Sequence, residues 1–311
     1  MSAPGFRHIP VLLSETLAAL QLRPGRSYLD GTVGGGGHSG AILEALQGDC
    51  TLIALDRDEE ALAAAGARLA VWPKVKLMRG NFHDAKSLFP EISFDGILLD
   101  LGVSSWQLDS AGRGFSYHED APLDMRMDRS SGLTAADWLN TRDEHAIAQA
   151  LYDYADERWG ARIAKLIVQM RAEKPFETTF DLVRAVDKAI PKAVRRKEEG
   201  HPARRAFQAV RIAVNDEIAP LKAALEELAD LLKPGGRLCV ISFHSIEDRA
   251  VKQAFQRMRN PCVCPVDAPY CVCGKKPVVT LPKGYPLAPS AQEQDENPRS
   301  RSAFLRVAER M

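Results

Sequence analysis

The sequence predicts an α/β fold: a parallel sheet with helices on its faces, into which an all-helical segment is inserted. Three observations carry the prediction. From residue 27 to residue 100 short apolar runs alternate with helix-periodic ones, the pattern of successive strand–helix–strand units. From Thr134 to Lys197 the pattern is helical throughout. At Arg237 an apolar strand-like run resumes, so the chain enters the sheet twice.

The first strands are expected at 27–30, 51–56, 75–78 and 94–100, with helices at 39–46 and 59–69. Right-handed crossovers place the C-terminal ends of parallel strands along one edge, where such sheets bind ligands. Asp30, Asp56, Gly80-Asn81-Phe82 and Asp100-Leu101-Gly102 all fall at that edge. Farther on, Thr134, Thr141 and Thr178 are each followed three residues later by Asp or Glu, a helix-start signature. Phe207, Val210, Val214, Ile218, Leu221, Leu225, Leu228 and Leu232 then form one apolar stripe, with Pro220 marking a kink or a break. Lys233-Pro234-Gly235-Gly236 ends it, and a strand at 237–243 follows. A helix at 246–258, a cysteine-rich loop and strands at 277–281 and 302–307 complete the chain. The expected division is 1–109 and 206–311 for the sheet domain and 110–205 for the helical insertion.

Lys and Arg number 41, as do Asp and Glu, and this zero net charge argues against a wholesale polyanion binder. A nucleic-acid contact would need a local patch. One is legible at 188–211, where Lys188, Lys192, Arg195, Arg196, Lys197, Arg204, Arg205 and Arg211 face only Glu198 and Glu199. The longest apolar runs are strand-sized and no export signal is legible, so a soluble, cytoplasmic chain without a membrane segment is expected. Its 6 cysteines would then stand in a reducing compartment. Cys262, Cys264, Cys271 and Cys273 form Cys-x-Cys-x6-Cys-x-Cys. Four thiolates suit tetrahedral zinc, yet the usual two-residue knuckle spacing is absent, so free thiols or a redox-labile pair are expected in preference to metal.

The run Asp30-Gly31-Thr32-Val33-Gly34-Gly35-Gly36-Gly37-His38 joins the first strand to the first helix of the sheet. Four consecutive glycines let the backbone take positive φ and approach a ligand closely. Asp56 stands where such folds place the carboxylate that grips a ribose. A plain tight turn and a helix-capping Asp are the bland alternatives; a nucleotide-like cofactor is the better reading. No Lys-Ser/Thr pair follows the glycines, as a phosphate-binding loop needs, and Asp30 would repel a pyrophosphate. S-adenosylmethionine, with an ammonium and a sulfonium, fits better than NAD.

Blocks along nearly the whole chain carry a more specific signal. They include His8-Ile9-Pro10-Val11-Leu12-Leu13, Asp30-Gly31-Thr32, Gly36-Gly37-His38-Ser39 and Ala54-Leu55-Asp56-Arg57-Asp58. Phe94 to Ser105, Arg113-Gly114-Phe115-Ser116 and Pro122-Leu123-Asp124-Met125-Arg126-Met127 follow, then Phe207 to Ile212, Ile241-Ser242-Phe243-His244-Ser245 and Asn297-Pro298-Arg299-Ser300-Arg301-Ser302. In this order they resemble the bacterial 16S rRNA (cytosine-N4)-methyltransferase family. The resemblance implies a Rossmann-like class I methyltransferase sheet of seven strands with an inserted all-helical substrate domain. It implies S-adenosylmethionine as cofactor and, as substrate, a decoding-centre cytosine of 16S rRNA within the 30S ribosomal subunit; it leaves room for a homodimer. It places the cofactor contacts on Gly36, Gly37, His38, Asp56, Phe82, Asp100 and Gln107.

Each implied contact has a chemical rationale beside a structural alternative. Asp56 can accept from both ribose hydroxyls. Phe82 can lie on the adenine face or belong to the core, and Asp100 can pair with the ammonium or form a turn. His38 can cap a helix or offer a ring nitrogen, and Gln107 suits the methionine end. Methyl transfer to an amino group asks for alignment and proton acceptance. Many amino-methyltransferases carry a Pro-Pro-aromatic acceptor motif after the fourth strand; here Asp100-Leu101-Gly102-Val103-Ser104-Ser105 stands instead. Ser104, Ser105 and His244 are therefore the acceptor candidates, and Arg195, Arg196, Lys197, Arg204 and Arg205 the RNA-contact candidates.

Overall fold

The computed structural model describes residues 10–196, 200–265 and 270–311, with the backbone alone at Ser105, Asp109 and Ala111. The chain separates into two compact units, Met1–Gly102 with Ile218–Met311, and Val103–Glu217. The first unit opens with α1 (Leu13–Leu20), β1 (Arg26–Asp30), α2 (Gly37–Ala45), β2 (Cys50–Asp56), α3 (Glu59–Leu69), β3 (Val75–Arg79), α4 (Ala85–Leu88) and β4 (Phe94–Asp100). The second holds α5 (Ser105–Asp109), α6 (Ala135–Thr141), α7 (Glu144–Ala155), α8 (Gly160–Glu173), α9 (Thr179–Ala189), α10 (Lys192–Arg195) and α11 (Arg204–Asn215). The first unit resumes with α12 (Leu221–Asp230), β5 (Leu232–Ser242), α13 (Ser245–Arg259), β6 (Val279–Thr280), α14 (Ala291–Glu296) and β7 (Phe304–Arg310).

The strands form one 7-stranded sheet in the order β3-β2-β1-β4-β5-β7-β6. Pairs from β3 to β5 are parallel, as expected, but β7 runs antiparallel to both β5 and β6. Strand direction follows from where the connection returns, and the residues of β7 carry no mark of it. Strand β4 is buried on both sides: Ile97 and Leu99 enter one core with Leu225, Leu228 and Phe255, while Leu98 enters another with Leu52, Ile241 and Leu43. Each such side chain, fully buried, contributes about 1.5–3 kcal/mol. This packed centre fixes the ends of β1 and β4, between which the strand order reverses, the place where open α/β sheets bind ligands.

In the helical unit, Thr134 and Thr178 head capping boxes with Asp137 and Asp181, as the spacing predicts. Thr141 does not: it ends α6, its hydroxyl donating to the Asp137 carbonyl, and Asp143 caps α7 by accepting from the Ala146 amide at 2.7 Å. Trp138, Ile147, Leu151, Ile163, Ile167, Leu182 and Phe207 build this unit's own core. The unit is longer than the expected 110–205 at both ends. Helix α11 packs on α7, and the Asn215 side chain accepts from the Met127 amide and donates to the Met125 carbonyl. The apolar stripe at 207–232 breaks where Asp216 takes φ +49° and Pro220 opens α12.

Candidate active site

The glycine turn leaves β1 and is strapped to its neighbours: the Gly31 amide donates to the Leu98 carbonyl at 2.9 Å and the Val33 amide to Leu55 at 2.8 Å. A Cβ at Gly31 would stand 2.5 Å from Leu99 Cδ2 and 3.1 Å from Phe82 Cβ, so any larger residue would have to displace the buried Leu99 side chain. Gly36 caps α2 at φ +76°, and a Cβ on Gly37 would fall 2.6 Å from Pro10 Cγ. The turn and the packing of α2 thus require both glycines, whatever else they touch.

Three carboxylates end the central strands here. Asp30 is 1% exposed; its Oδ2 accepts from the Ser39 hydroxyl at 2.7 Å and its Oδ1 from the Thr32 amide at 3.1 Å. Burial, opposed by those two bonds, pushes its carboxyl up to about 6. Asp56 accepts from the Gly34 amide on Oδ2 and from the Asp58 amide on Oδ1, both at 2.9 Å, and burial raises its pKa too. Each oxygen keeps a second lone pair for a ligand hydroxyl. Asp100 is held through its backbone, whose amide donates to Thr32 Oγ1 at 2.6 Å. Its Oδ2 lies 3.6 Å from His38 Nε2, and its buried Oδ1 has no hydrogen-bond partner among the described residues. Desolvation, then the charges of Asp30 and Glu247, push Asp100 up to about 8. Among the described residues no ion pair joins a Lys or Arg to Asp30 or Asp100, and the neighbouring Arg57 charge only partly opposes the upward shift of Asp56.

That donor set tests the cofactor directly. Clustered carboxylates, Asp30 buried and Asp56 and Asp100 half-buried, repel a pyrophosphate and favour a cation, and the unsatisfied Asp100 Oδ1 is an acceptor awaiting an N–H donor. S-adenosylmethionine fits both demands. Phe82, just after β3, is half-buried, packed against the sheet core and edge-on to His83 at 4.3 Å between centroids. The core role is thus met, and the half of the ring left exposed lies at the C-terminal edge of the sheet.

The remaining candidates are engaged locally. In the helical unit Ser104 and Gln107 form the capping box of α5: the Gln107 amide donates to Ser104 Oγ at 3.3 Å and the Ser104 amide to Gln107 Oε1 at 3.0 Å. The Ser105 side chain lies outside the described residues. His244 caps α13, its Nδ1 accepting from the Glu247 amide at 3.3 Å while Nε2 faces Glu247 Oε1 at 3.0 Å. Glu247, 2% exposed, also accepts from the Phe243 amide at 2.9 Å and approaches Gly102. Sequence reasoning assigned Glu247 no role, although its place three residues after the cap was a legible capping signal.

The basic stretch is less free than its composition implies. Arg195 pairs with Asp187, and Arg211 binds Glu217 through two bonds of 2.9 Å, both acids lying just outside 188–211. Arg196 and Arg204 are exposed and Arg205 partly so; Lys197 lies outside the described residues. Nearby in the same unit Tyr117, His118, Phe180, Val183, Arg184 and His201 line an open groove of about 270 Å³. Tyr117 stacks on His201 at 4.7 Å between ring centroids.

A Rossmann-like sheet with a glycine turn and clustered carboxylates at its ligand edge defines the class, a methyltransferase that uses S-adenosylmethionine. Residues 5–311 match the MraW methylase family, and the chain belongs to it. Over 306 residues it is 53% identical to the ribosomal RNA small subunit methyltransferase H of Symbiobacterium thermophilum, covering 97% of this chain and 96% of that one. Over 311 residues it is 53% identical to the protein of the same name from Heliobacterium modesticaldum, covering 98% and 99%. Among solved structures, a putative methyltransferase from Streptococcus mutans in complex with SAH aligns over 98% of this chain and 100% of its own, with TM-score 0.45 and 13% identity.

Proposed function

We propose that this enzyme methylates N4 of a decoding-centre cytosine in 16S rRNA of the small ribosomal subunit. The observation that carries the reading is 53% identity, over nearly the whole chain, to proteins named for small-subunit rRNA methylation. The choice of cytosine N4 rests on the resemblance of the sequence blocks quoted above.

S-adenosylmethionine supplies a methyl group on a sulfonium, a good leaving group. Cytosine N4 is a weak nucleophile because its lone pair is delocalised into the ring, so the protein contributes alignment and electrostatics. Asp56 would take the ribose hydroxyls, Phe82 the adenine face and Asp100 the ammonium. Gly36, Gly37 and His38 would bound the ligand where α2 begins, and Gln107 would meet the methionine end. N4 must also lose a proton. His244 has both ring nitrogens engaged with Glu247, so it acts as a positioning residue, and the Ser104–Ser105 segment remains as acceptor. The helical unit would hold the RNA: Arg196, Arg204 and Arg205 suit phosphates, and the Tyr117–His201 groove suits a nucleobase.

The test is transfer of labelled methyl from S-adenosylmethionine to small subunits from a strain lacking this modification, followed by nucleoside analysis. N4-methylcytidine is expected. Label in C5-methylcytidine would overturn the N4 assignment, and unlabelled rRNA beside a labelled protein substrate would overturn the RNA reading.

A further inference from the structure

We propose that Cys262, Cys264, Cys271 and Cys273 form a structural site for one zinc ion. All four are free thiols, and their sulfurs lie within 4.8 Å of one another. Four of the separations are 3.6 Å (Cys262–Cys271), 3.9 Å (Cys264–Cys271), 3.5 Å (Cys271–Cys273) and 3.9 Å (Cys262–Cys273). Tetrahedral zinc with sulfur at about 2.3 Å requires sulfur–sulfur edges of about 3.8 Å. Cys271 has three thiol neighbours at similar range, an arrangement that selects no pair for a disulfide.

The one-residue spacing, which weighed against metal in the sequence, is what the arms need. In extended chain, residues i and i+2 project to the same side and the residue between them to the other. Both cysteine pairs bring their sulfurs together, while the intervening Val263 and Val272 are 62% and 74% exposed. Each arm thus offers two sulfurs, and two arms complete four. The Val272 amide donates to Cys264 Sγ at 3.3 Å, the kind of backbone bond that orients a thiolate ligand.

The loop also needs such a closure. It runs from the end of α13 to β6, and its base is tied by the Val278 amide to the Met258 carbonyl at 2.9 Å. Beyond that base Tyr270, like Val263 and Val272, is exposed, at 72%, so these three apolar side chains of the loop find no core. Connections longer than about 12–15 residues without secondary structure are uncommon in compact domains unless something orders them. Zinc binding converts the four thiols to thiolates, releases their protons to solvent and orders both arms together.

Metal analysis of the full chain, purified under reducing conditions without chelator, should find one zinc per chain. Cobalt substitution should give the absorption of a tetrahedral thiolate site, and zinc should protect the four thiols from a thiol reagent. The paired change Cys264→Ser with Cys271→Ser should abolish metal and protection and leave S-adenosylmethionine binding within twofold of the parent. Absence of zinc after reconstitution of the reduced protein, with all four thiols reactive, overturns the site. So does a native disulfide among the four whose reduction confers no metal binding.

Discussion

Burial and two neighbouring acids hold the Asp100 carboxyl protonated up to about pH 8 in the cofactor-free protein. In the unfolded chain the same group ionises near pH ~3.9. Between those values the folded state keeps a proton that the unfolded state has lost, so stability falls as pH rises through that window. Asp100→Asn removes this dependence: without cofactor the variant should melt higher than the parent at pH 9 and level with it below about pH 4. Binding shows the opposite face of the same linkage. A cation favours the ionised carboxylate, so affinity for S-adenosylmethionine should climb from pH 6 toward 8, by at most about tenfold per unit, and then level off. Asp30, pushed up to about 6, adds a second dependence at the acid end. The variant should bind about 10- to 150-fold more weakly, the range for a hydrogen bond to a charged group. Calorimetry from pH 6 to 9 decides it, and flat affinity with an unaffected Asn variant would remove Asp100 from the ammonium site.

Among the elements, α13 shows how a residue placed at a strand end can serve the fold first. His244 satisfies an open amide of that helix and holds Glu247, whose other oxygen fixes the Phe243 amide. His244→Ala should therefore cost about 1 kcal/mol of stability, as cap losses do. Single-turnover methylation should fall less than tenfold, whereas loss of a general base costs about 10²–10⁴-fold. A hundredfold fall at unchanged cofactor affinity would restore His244 as the proton acceptor. Element reading from the sequence succeeded where one rule governs one stretch. The bounds of β4 and α3 coincide with the expected ones because an unbroken apolar run and an Asp58-capped periodic run leave little choice. It failed where tertiary structure decides. The stripe from Phe207 to Leu232 is apolar on one face throughout, yet Phe207 and Val210 enter the helical core while Leu221, Leu225 and Leu228 enter the sheet core. Periodicity identifies the buried face and is silent on which core receives it. At the site, the strand-end carboxylates were legible from position, and the spacings Ser104-x-x-Gln107 and His244-x-x-Glu247 carried capping signals that went unread beside the chemical roles proposed for the same residues.

For the molecule as a whole, charge balance makes RNA binding a question of which cations stay available. With 41 basic and 41 acidic residues there is no net field to draw a polyanion, so affinity must come from a few unneutralised groups. Arg195 and Arg211 are poor choices because Asp187 and Glu217 already hold them, the latter pair with side chains only 15% and 8% exposed. Exposed Arg196 and Arg204 are better ones. Each phosphate contact releases counterions, so log K against log salt should lose about 0.7–0.9 in slope for each contact removed. Arg196→Ala with Arg204→Ala should flatten the slope by up to twice that amount and leave S-adenosylmethionine binding unchanged. Arg211→Ala should keep the slope and instead lower the melting temperature, because it strands the buried Glu217 charge. Titrating the three proteins with labelled small-subunit RNA at several salt concentrations separates the two kinds of arginine. Equal slopes for the parent and the Arg196, Arg204 double variant would return that surface to ordinary solvated charge and move the RNA contact elsewhere. The reverse pattern, with slope lost only on Arg211→Ala, would mean that RNA displaces Glu217 from its partner on binding.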